Sequence, residues 1–116
     1  MEIKRKLKPW GNFEQFTHNE ISTVKILNIS SSELLSMQSH KQRDEYWKIL
    51  SGQGVIRIGP KTFQVEAGDE YFIPRNIKHR AMGITDLKIL EISFGEFSDT
   101  DIVRYEDTYG RVDERP

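Results

Sequence analysis

Short apolar runs alternate with clusters of turn-forming residues along this chain, and within each run the apolar positions recur with a period of two. This pattern predicts β-strands, because successive side chains of a strand point to opposite faces of a sheet. The predicted strands, in chain order, are 21–29, a strand from near 34 to 40, 45–50, 55–58, 62–65, 70–73, a strand around 79, and 87–94. Turn signals recur about every eight to twelve residues and no segment keeps a helical period, so the sequence predicts an all-β barrel or sandwich.

The strongest late strand is segment 87–94, LKILEISF. Its alternation places Leu90 and Ile92 on one face and Glu91 on the other. A carboxylate in this position either lies in solvent on the outer face or points into the cavity of a barrel. Alternation alone leaves both orientations open, and we expect the cavity, where burial would raise the pKa of Glu91.

The two ends of the chain are less regular than its middle. Segment 4–13 is basic and is interrupted by proline and glycine, which predicts an irregular lead-in to the first strand. After the last predicted strand the composition becomes acidic and polar, and segment 101–111 is compatible with a short helix or an ordered tail. Residues 112–116 are expected to fray.

The length of 116 residues fits a single domain over 1–116, with a core over about 20–95 and a C-terminal tail over 96–116. The formal charge is -1, from 17 basic and 18 acidic residues, so no general field attracts nucleic acid or an anionic membrane. The chain lacks cysteine, a signal-peptide pattern and an apolar run of membrane-spanning length. The sequence therefore predicts a cytosolic protein without disulfides.

Four residues with metal-binding side chains lie at spacings that β-structure can bring together. Gln38 and His40 are two residues apart and share one face of their strand. A polar turn over 41–44 then leads to Glu45 at the start of the next strand, and His79 follows about forty residues later. Taken singly, each histidine is also compatible with an ordinary surface or core position, but the set of four favours a metal site.

The chemistry of this set suits one divalent cation. Two imidazoles, one carboxylate and one amide oxygen give a mixed nitrogen and oxygen site with a single negative charge. Zinc, manganese, iron and nickel all accept such ligands, so the identity of the metal stays open. A cation held in this way keeps net positive charge and can act as a Lewis acid.

The spacing of these residues resembles that of the cupin family. The pattern reads Gln38, one residue, His40, four residues, Glu45, six residues, Gly52, and then Gly68, five residues, Pro74, one, Asn76, two, His79, three, Gly83. Gln38 stands where many cupins have a histidine, and Asn76 and Gly83 stand where the family usually has glycine and asparagine. The resemblance implies a single-domain jelly-roll barrel, the double-stranded β-helix, with a metal ion in its mouth.

Further stretches are similar to one branch, the cupin domain of the type II phosphomannose isomerases, which follows a mannose-1-phosphate guanylyltransferase domain. The matching pieces are 8–13, 35–38, His40, Arg43, Glu45, Trp47, 51–52, 71–74, 78–80, Glu91, 95–96, 101–104, Asp107 and 109–111. This sequence has Lys41 and Gln42 where the branch has a histidine run, and Tyr46 where it has histidine. A chain of this length leaves no room for a guanylyltransferase domain, so that activity is not expected.

The branch resemblance implies an isomerase that interconverts mannose 6-phosphate and fructose 6-phosphate. Glu91 is the candidate general base, because aldose–ketose isomerisation moves a carbon-bound proton between neighbouring carbons. The substrate phosphate needs cations that bind its oxygens in bidentate fashion. The candidates are Arg43, Arg80, Arg104 and Arg111.

Two other functional classes fit the same fold. One is a non-catalytic module that binds a metal and a sugar, and the other is a cupin that uses its metal for dioxygen chemistry, which the set of two histidines disfavours. We also expect a homodimer, because the aromatic residues Trp10, Phe13 and Phe16 exceed what a core of this size needs and cupins commonly pair through such segments.

Overall fold

The computed structural model describes residues 3–107, and within this range it contains eleven β-strands and no helix. The strands are β1 (Lys4–Lys8), β2 (Gly11–Gln15), β3 (Ser22–Ile29), β4 (Met37–Ser39), β5 (Asp44–Ser51), β6 (Gln53–Ile58), β7 (Lys61–Glu66), β8 (Glu70–Ile73), β9 (His79–Gly83), β10 (Leu87–Phe94) and β11 (Val103–Glu106). The predicted strands 70–73 and 87–94 are confirmed with the bounds that alternation gave them. A search of the same residues finds no helix able to cross a membrane.

Two antiparallel sheets form the body of the molecule. One has the strand order β3-β10-β5-β8 and the other has the order β11-β4-β9-β6-β7. Their inner faces share an apolar core in which Trp47, Ile56 and Ile89 are fully buried. The predicted all-β, two-sheet architecture is therefore confirmed, and sequence-distant strands become neighbours in each sheet.

The N-terminal segment forms a hairpin instead of the predicted irregular lead-in. Strands β1 and β2 pair with each other only and turn at Pro9 and Trp10. Opposite charges face each other across this pair, with Arg5 Nε 3.2 Å from the Glu14 carboxylate. A two-stranded hairpin is marginally stable alone, so its ion pairs to the barrel, from Arg5 to Glu70 and from Lys48 to Glu14, hold it in place.

The segment after β10 also differs from the sequence-based expectation of a helix or a tail. Val103–Glu106 is a strand that pairs with β4, and Val103 is buried beside it. Beta-branched and aromatic residues at 103 and 105 favour a strand, and β4 offers an unpaired edge. The connecting residues 95–102 contribute Phe97, Asp99 and Ile102 to the lining of a cavity that also contains His40, and we call this segment the strap. The predicted tail residues 108–116, including Arg111, lie outside the described part of the chain.

Candidate metal centre

Three side chains from separate segments meet in the barrel interior. His40 follows the end of β4, Glu45 lies at the start of β5, and His79 begins β9. The Nε2 atoms of His40 and His79 lie 3.4 Å and 3.3 Å from Oε1 of Glu45. All three residues are buried, and their ligand atoms lie within 4.8 Å of one another. The structure thus brings together three of the four residues that the sequence singled out as ligands.

Backbone carbonyl groups fix the orientation of both imidazoles. Nδ1 of His40 lies 2.7 Å from the carbonyl oxygen of Asp101, and Nδ1 of His79 lies 2.9 Å from that of Ile77. Because a carbonyl oxygen can only accept, Nδ1 carries the proton in each ring and Nε2 keeps its lone pair. Both lone pairs therefore face Glu45, in the arrangement that metal-binding histidines adopt.

The donor atoms fit a divalent cation. Oε1 of Glu45 and Nε2 of His79 are buried and have no hydrogen-bond partner among residues 3–107. His40 Nε2 lies 3.4 Å from Arg43 Nη2, a long contact, besides its 3.4 Å separation from Glu45. Buried polar atoms without partners are costly, and a cation between them would satisfy all three. Ligand atoms about 2.0 to 2.2 Å from one ion lie about 3 to 3.5 Å apart. The separations of the two Nε2 atoms from Glu45 Oε1, 3.4 and 3.3 Å, fall in this range.

Gln38 lies beside the three clustered residues. It is the cross-strand partner of His79 on β9 and of Arg104 on β11. Directly opposed residues project from the same face of a sheet, so these three side chains share the inner face. Gln38 also lines the same cavity as His40. Its role as a metal ligand stays a prediction.

Electrostatics keep the central carboxylate ionised. Burial alone would raise the pKa of Glu45, but a proton on the Nε2 atoms of His40 and His79 would give it hydrogen bonds and charge that outweigh burial and hold that pKa well below its usual range. A bound cation would take the place of those protons. A carboxylate that stays charged beside imidazole lone pairs is a strong cation ligand.

A cavity of about 200 Å³ opens beside the cluster, and it contains Glu91. Glu91 is buried and accepts a hydrogen bond of 3.0 Å from the indole nitrogen of Trp47. Burial, reinforced by the negative charge of Glu45, raises the pKa of Glu91 to about 7 against the lowering effects of Trp47 and two nearby cations. Glu91 therefore points into the cavity, which is the orientation we expected of the two that alternation left open.

Three of the four predicted phosphate-binding arginines lie in the described part of the chain, and they take different positions there. Arg43 and Arg104 line the cavity, and Nε of Arg104 is buried with no hydrogen-bond partner among the described residues. Arg43 is buried, with Nη1 3.1 Å from the Ser98 carbonyl oxygen and Nε 3.4 Å from Glu45. Arg80 does not line this cavity, because it follows His79 on β9 and so projects from the opposite face, where it pairs with Glu106 at 3.0 Å.

Lys25 and Phe97 line the cavity although neither was among the sequence candidates. Lys25 on β3 is the cross-strand partner of Glu91, and its Nζ lies 4.2 Å from the centre of the Phe97 ring in the strap. The guanidinium carbon of Arg43 lies 4.4 Å from the same ring. The alternation of β3 already placed Lys25 on the opposite face to Val24. It did not indicate which of the two faces lines the cavity.

The side chains that depart from the family and branch patterns do not project into the metal cluster. Tyr46 projects from the opposite face of β5 to Glu45 and packs against Phe16, with ring centres 5.5 Å apart. Lys41 and Gln42 form an exposed turn. Asn76, where the family usually has glycine, has a φ of 68°, a left-handed conformation that asparagine tolerates better than most residues. These substitutions therefore leave the cluster geometry intact.

The two-sheet barrel with its buried His-Glu-His cluster defines a cupin. A cupin protein from Bacteroides fragilis has the same fold, with a TM-score of 0.58 and 26% identity over 69% of this chain and 75% of that one. The chain belongs to the family described as "Mannose-6-phosphate isomerase C-terminal", whose pattern matches residues 2–107.

Full-length relatives of this family are much longer than this chain. The chain is 30% identical to the xanthan biosynthesis protein XanB of Xanthomonas campestris over 94% of its own length and 24% of that protein. It is 32% identical to mannose-1-phosphate guanylyltransferase 2 of Escherichia coli O157:H7 over 91% of its length and 23% of that protein. The chain thus spans about a quarter of the length of these relatives.

Proposed function

We propose that this chain is a metal-dependent aldose–ketose isomerase of the mannose-6-phosphate isomerase type. The reaction is the interconversion of mannose 6-phosphate and fructose 6-phosphate. The observation that carries the proposal is the placement of Glu91, a buried carboxylate with a pKa of about 7, in the same cavity as the His40 side of the ligand cluster. Family membership supports the choice of sugar phosphate.

His40, Glu45 and His79, with Gln38 beside them, would hold a divalent cation, and that cation would supply a Lewis acid for the negative charge on the sugar oxygens. Glu91 accepts the proton from C2 of the aldose and returns it to C1, while the hydroxyl proton on O2 passes to O1, which gives the ketose. The Trp47 hydrogen bond occupies Oε2 of Glu91 and fixes the plane of the carboxylate. A pKa near neutral pH lets Glu91 both accept and return the proton.

The phosphate group binds at the β11 and β3 sides of the cavity. Arg104 offers a buried Nε without a protein partner, and Lys25 offers an ammonium group near the mouth. A phosphate oxygen would satisfy Arg104 Nε and form a charge-assisted hydrogen bond. Arg43 adds positive charge, but its guanidinium already contacts Ser98 and Glu45. Its main role is therefore to hold the cavity wall in place and not to bind the substrate.

A second candidate function is a non-catalytic module that binds a metal and a sugar phosphate. It is favoured by Lys41, Gln42 and Tyr46, which stand where the branch has histidines, since a fold can keep its ligand site without its chemistry. The same cavity residues would then hold the sugar phosphate, and Glu91 would have no proton to transfer.

The test is to load the purified chain with zinc, manganese, iron or nickel, add mannose 6-phosphate, and measure fructose 6-phosphate. Turnover that a chelator abolishes supports the isomerase. Calorimetric binding of mannose 6-phosphate without turnover by any of the four metal forms supports the binding module. Absence of both contradicts both proposals.

A further inference from the structure

Asp101 in the strap contacts the His40 side of the metal centre through three atoms. Its carbonyl oxygen accepts from Nδ1 of His40 at 2.7 Å. Its carboxylate accepts from the backbone amides of Lys41 and Gln42 at 2.8 and 3.0 Å. One residue, about sixty positions downstream, therefore holds both the ring of His40 and the backbone that follows it.

The two kinds of contact depend on each other. The carbonyl oxygen of Asp101 can accept from Nδ1 of His40 only if the strap is held at a fixed distance from the turn over 41–42. The carboxylate of Asp101 fixes that distance, because it accepts from two consecutive backbone amides. Such a bidentate contact fixes both the position and the orientation of the carboxylate. The amide of Asp101 also donates to the Ser98 carbonyl at 3.1 Å, which closes the strap into a turn.

His79 offers an internal comparison. Its Nδ1 donates to Ile77, only two residues away in its own segment, at 2.9 Å. His79 therefore keeps its orientation whether the strap is in place or not. Of the two histidines, His40 alone depends on the strap for this hydrogen bond.

We propose that Asp101 is a positioning residue for the metal centre, which couples the closure of the strap to the binding of a divalent cation at His40. The proposal rests on the metal centre of the proposed function, and it does not depend on which sugar binds. By linkage, a strap that favours the bound orientation of His40 raises metal affinity, and a bound cation stabilises the closed strap by the same factor.

Zinc affinity, measured by chelator competition on the full chain without any sugar, tests whether the strap raises metal affinity. Asp101→Ala removes the bridge and is expected to weaken zinc binding by about 10- to 100-fold, the usual effect of losing a partner that orients a ligand. Asp101→Asn keeps one acceptor oxygen and is expected to lie between wild type and Asp101→Ala. The control is Asp69→Ala, because Asp69 accepts from the Glu66 amide at 2.9 Å in a turn outside the metal cavity.

Nitrogen NMR of the three imidazoles in the metal-free protein tests positioning directly. In Asp101→Ala the His40 ring is expected to lose its single Nδ1-protonated form, while His79 keeps its own. Zinc is expected to slow amide exchange at Lys41 and Gln42 and to leave Glu66 unchanged.

Equal zinc affinity in folded Asp101→Asn and wild type would overturn the proposal, and so would a wild type that does not bind zinc. If Asp101→Ala lost the Nδ1-protonated signals of both His40 and His79, the substitution would have loosened the whole barrel interior, and this result would also overturn the proposal. Because no sugar is present, a failed isomerase assay leaves this test unaffected.

Discussion

The indole nitrogen of Trp47 donates a 3.0 Å hydrogen bond to Oε2 of Glu91, between residues that face each other on β5 and β10. Trp47 has no exposed surface, so this bond lies in the barrel interior. A neutral donor stabilises the charged form of the carboxylate, while burial favours the protonated form. The balance leaves the pKa of Glu91 at about 7, and two predictions depend on it.

The first prediction concerns turnover. Glu91→Gln keeps the size of the side chain and an acceptor for Trp47, so we expect an intact fold and unchanged metal content. Loss of the general base is expected to lower isomerase turnover by about 10²-fold or more. Steady-state rates with metal content measured on the same samples provide the check. Glu66→Gln, an exposed residue of β7, is the control, and equal rates for both variants would remove Glu91 from the mechanism.

The second prediction concerns the stability of the metal-free protein. The folded pKa of Glu91 lies above its ordinary value, so the native state binds more protons than the unfolded state between about pH 4.5 and 7. Burial of protonated Glu91 therefore contributes at most about 3 kcal/mol to the free energy of unfolding. This contribution is fully present below pH 4.5 and is lost as pH rises through 7. Urea unfolding at pH 5 and pH 8 is expected to show a smaller loss for Glu91→Gln than for wild type. Parallel pH curves for the two proteins would contradict this.

The third prediction concerns the ligand cluster. The double variant His40→Ala, His79→Ala removes two donors and is expected to abolish stoichiometric binding of divalent metal. Wild type is expected to melt at higher temperature when zinc is added, because a ligand that binds only the native state stabilises it. The double variant should show no such shift. The exposed His18→Ala serves as the control, and metal retention by the double variant would refute the assignment.

The fourth prediction separates two arginines that the sequence treated alike. Arg104→Met is expected to raise KM for mannose 6-phosphate by about 10-fold or more, because a charge-assisted bond to phosphate is lost. Arg80→Met is the matched control, since Arg80 pairs with Glu106 outside the cavity. Binding of unphosphorylated mannose should be the same in both variants. A larger effect from Arg80 would reverse the assignment.

Alternation in the sequence predicted which residues share a face, but it did not predict which face lies inside. Leu90 and Glu91 were correctly placed on opposite faces of β10. On β3, however, the apolar Val24 is exposed and the charged Lys25 faces the cavity. The packing of one sheet on the other decides this, and that packing depends on contacts far apart in the chain. For the same reason Arg80 and Arg104 could not be distinguished before the register of β9 and β11 was known.

The ends of the chain were predicted least well, because their stability comes from partners and not from their own pattern. The basic strand β1 has little apolar periodicity, and it is held by Arg5 against Glu14 and Glu70. The strap and β11 are fixed by Asp101 and by pairing with β4. The structure brings His40, Glu45 and His79 together, as the spacing predicted. A local turn joins His40 to Glu45, whereas His79 reaches them through the pairing of β9 with β4.

The last prediction concerns assembly. Leu7 and Trp10 on the N-terminal hairpin are 85% and 72% exposed, whereas Phe16 packs on Tyr46 of the same chain. Phe13 is half-buried, so Trp10 is the most exposed of the three aromatic residues that suggested a dimer. We predict a homodimer through this hairpin, because exposed apolar side chains on a strand pair favour association with a symmetric partner. Light scattering should give about twice the 13.6 kDa of one chain, and the double variant Leu7→Ser, Trp10→Ser should return to the single mass. Phe72→Ser, an exposed apolar residue on β8, is the control that should stay dimeric. A wild-type mass of one chain that does not rise with concentration would show that the hairpin leaves the protein monomeric.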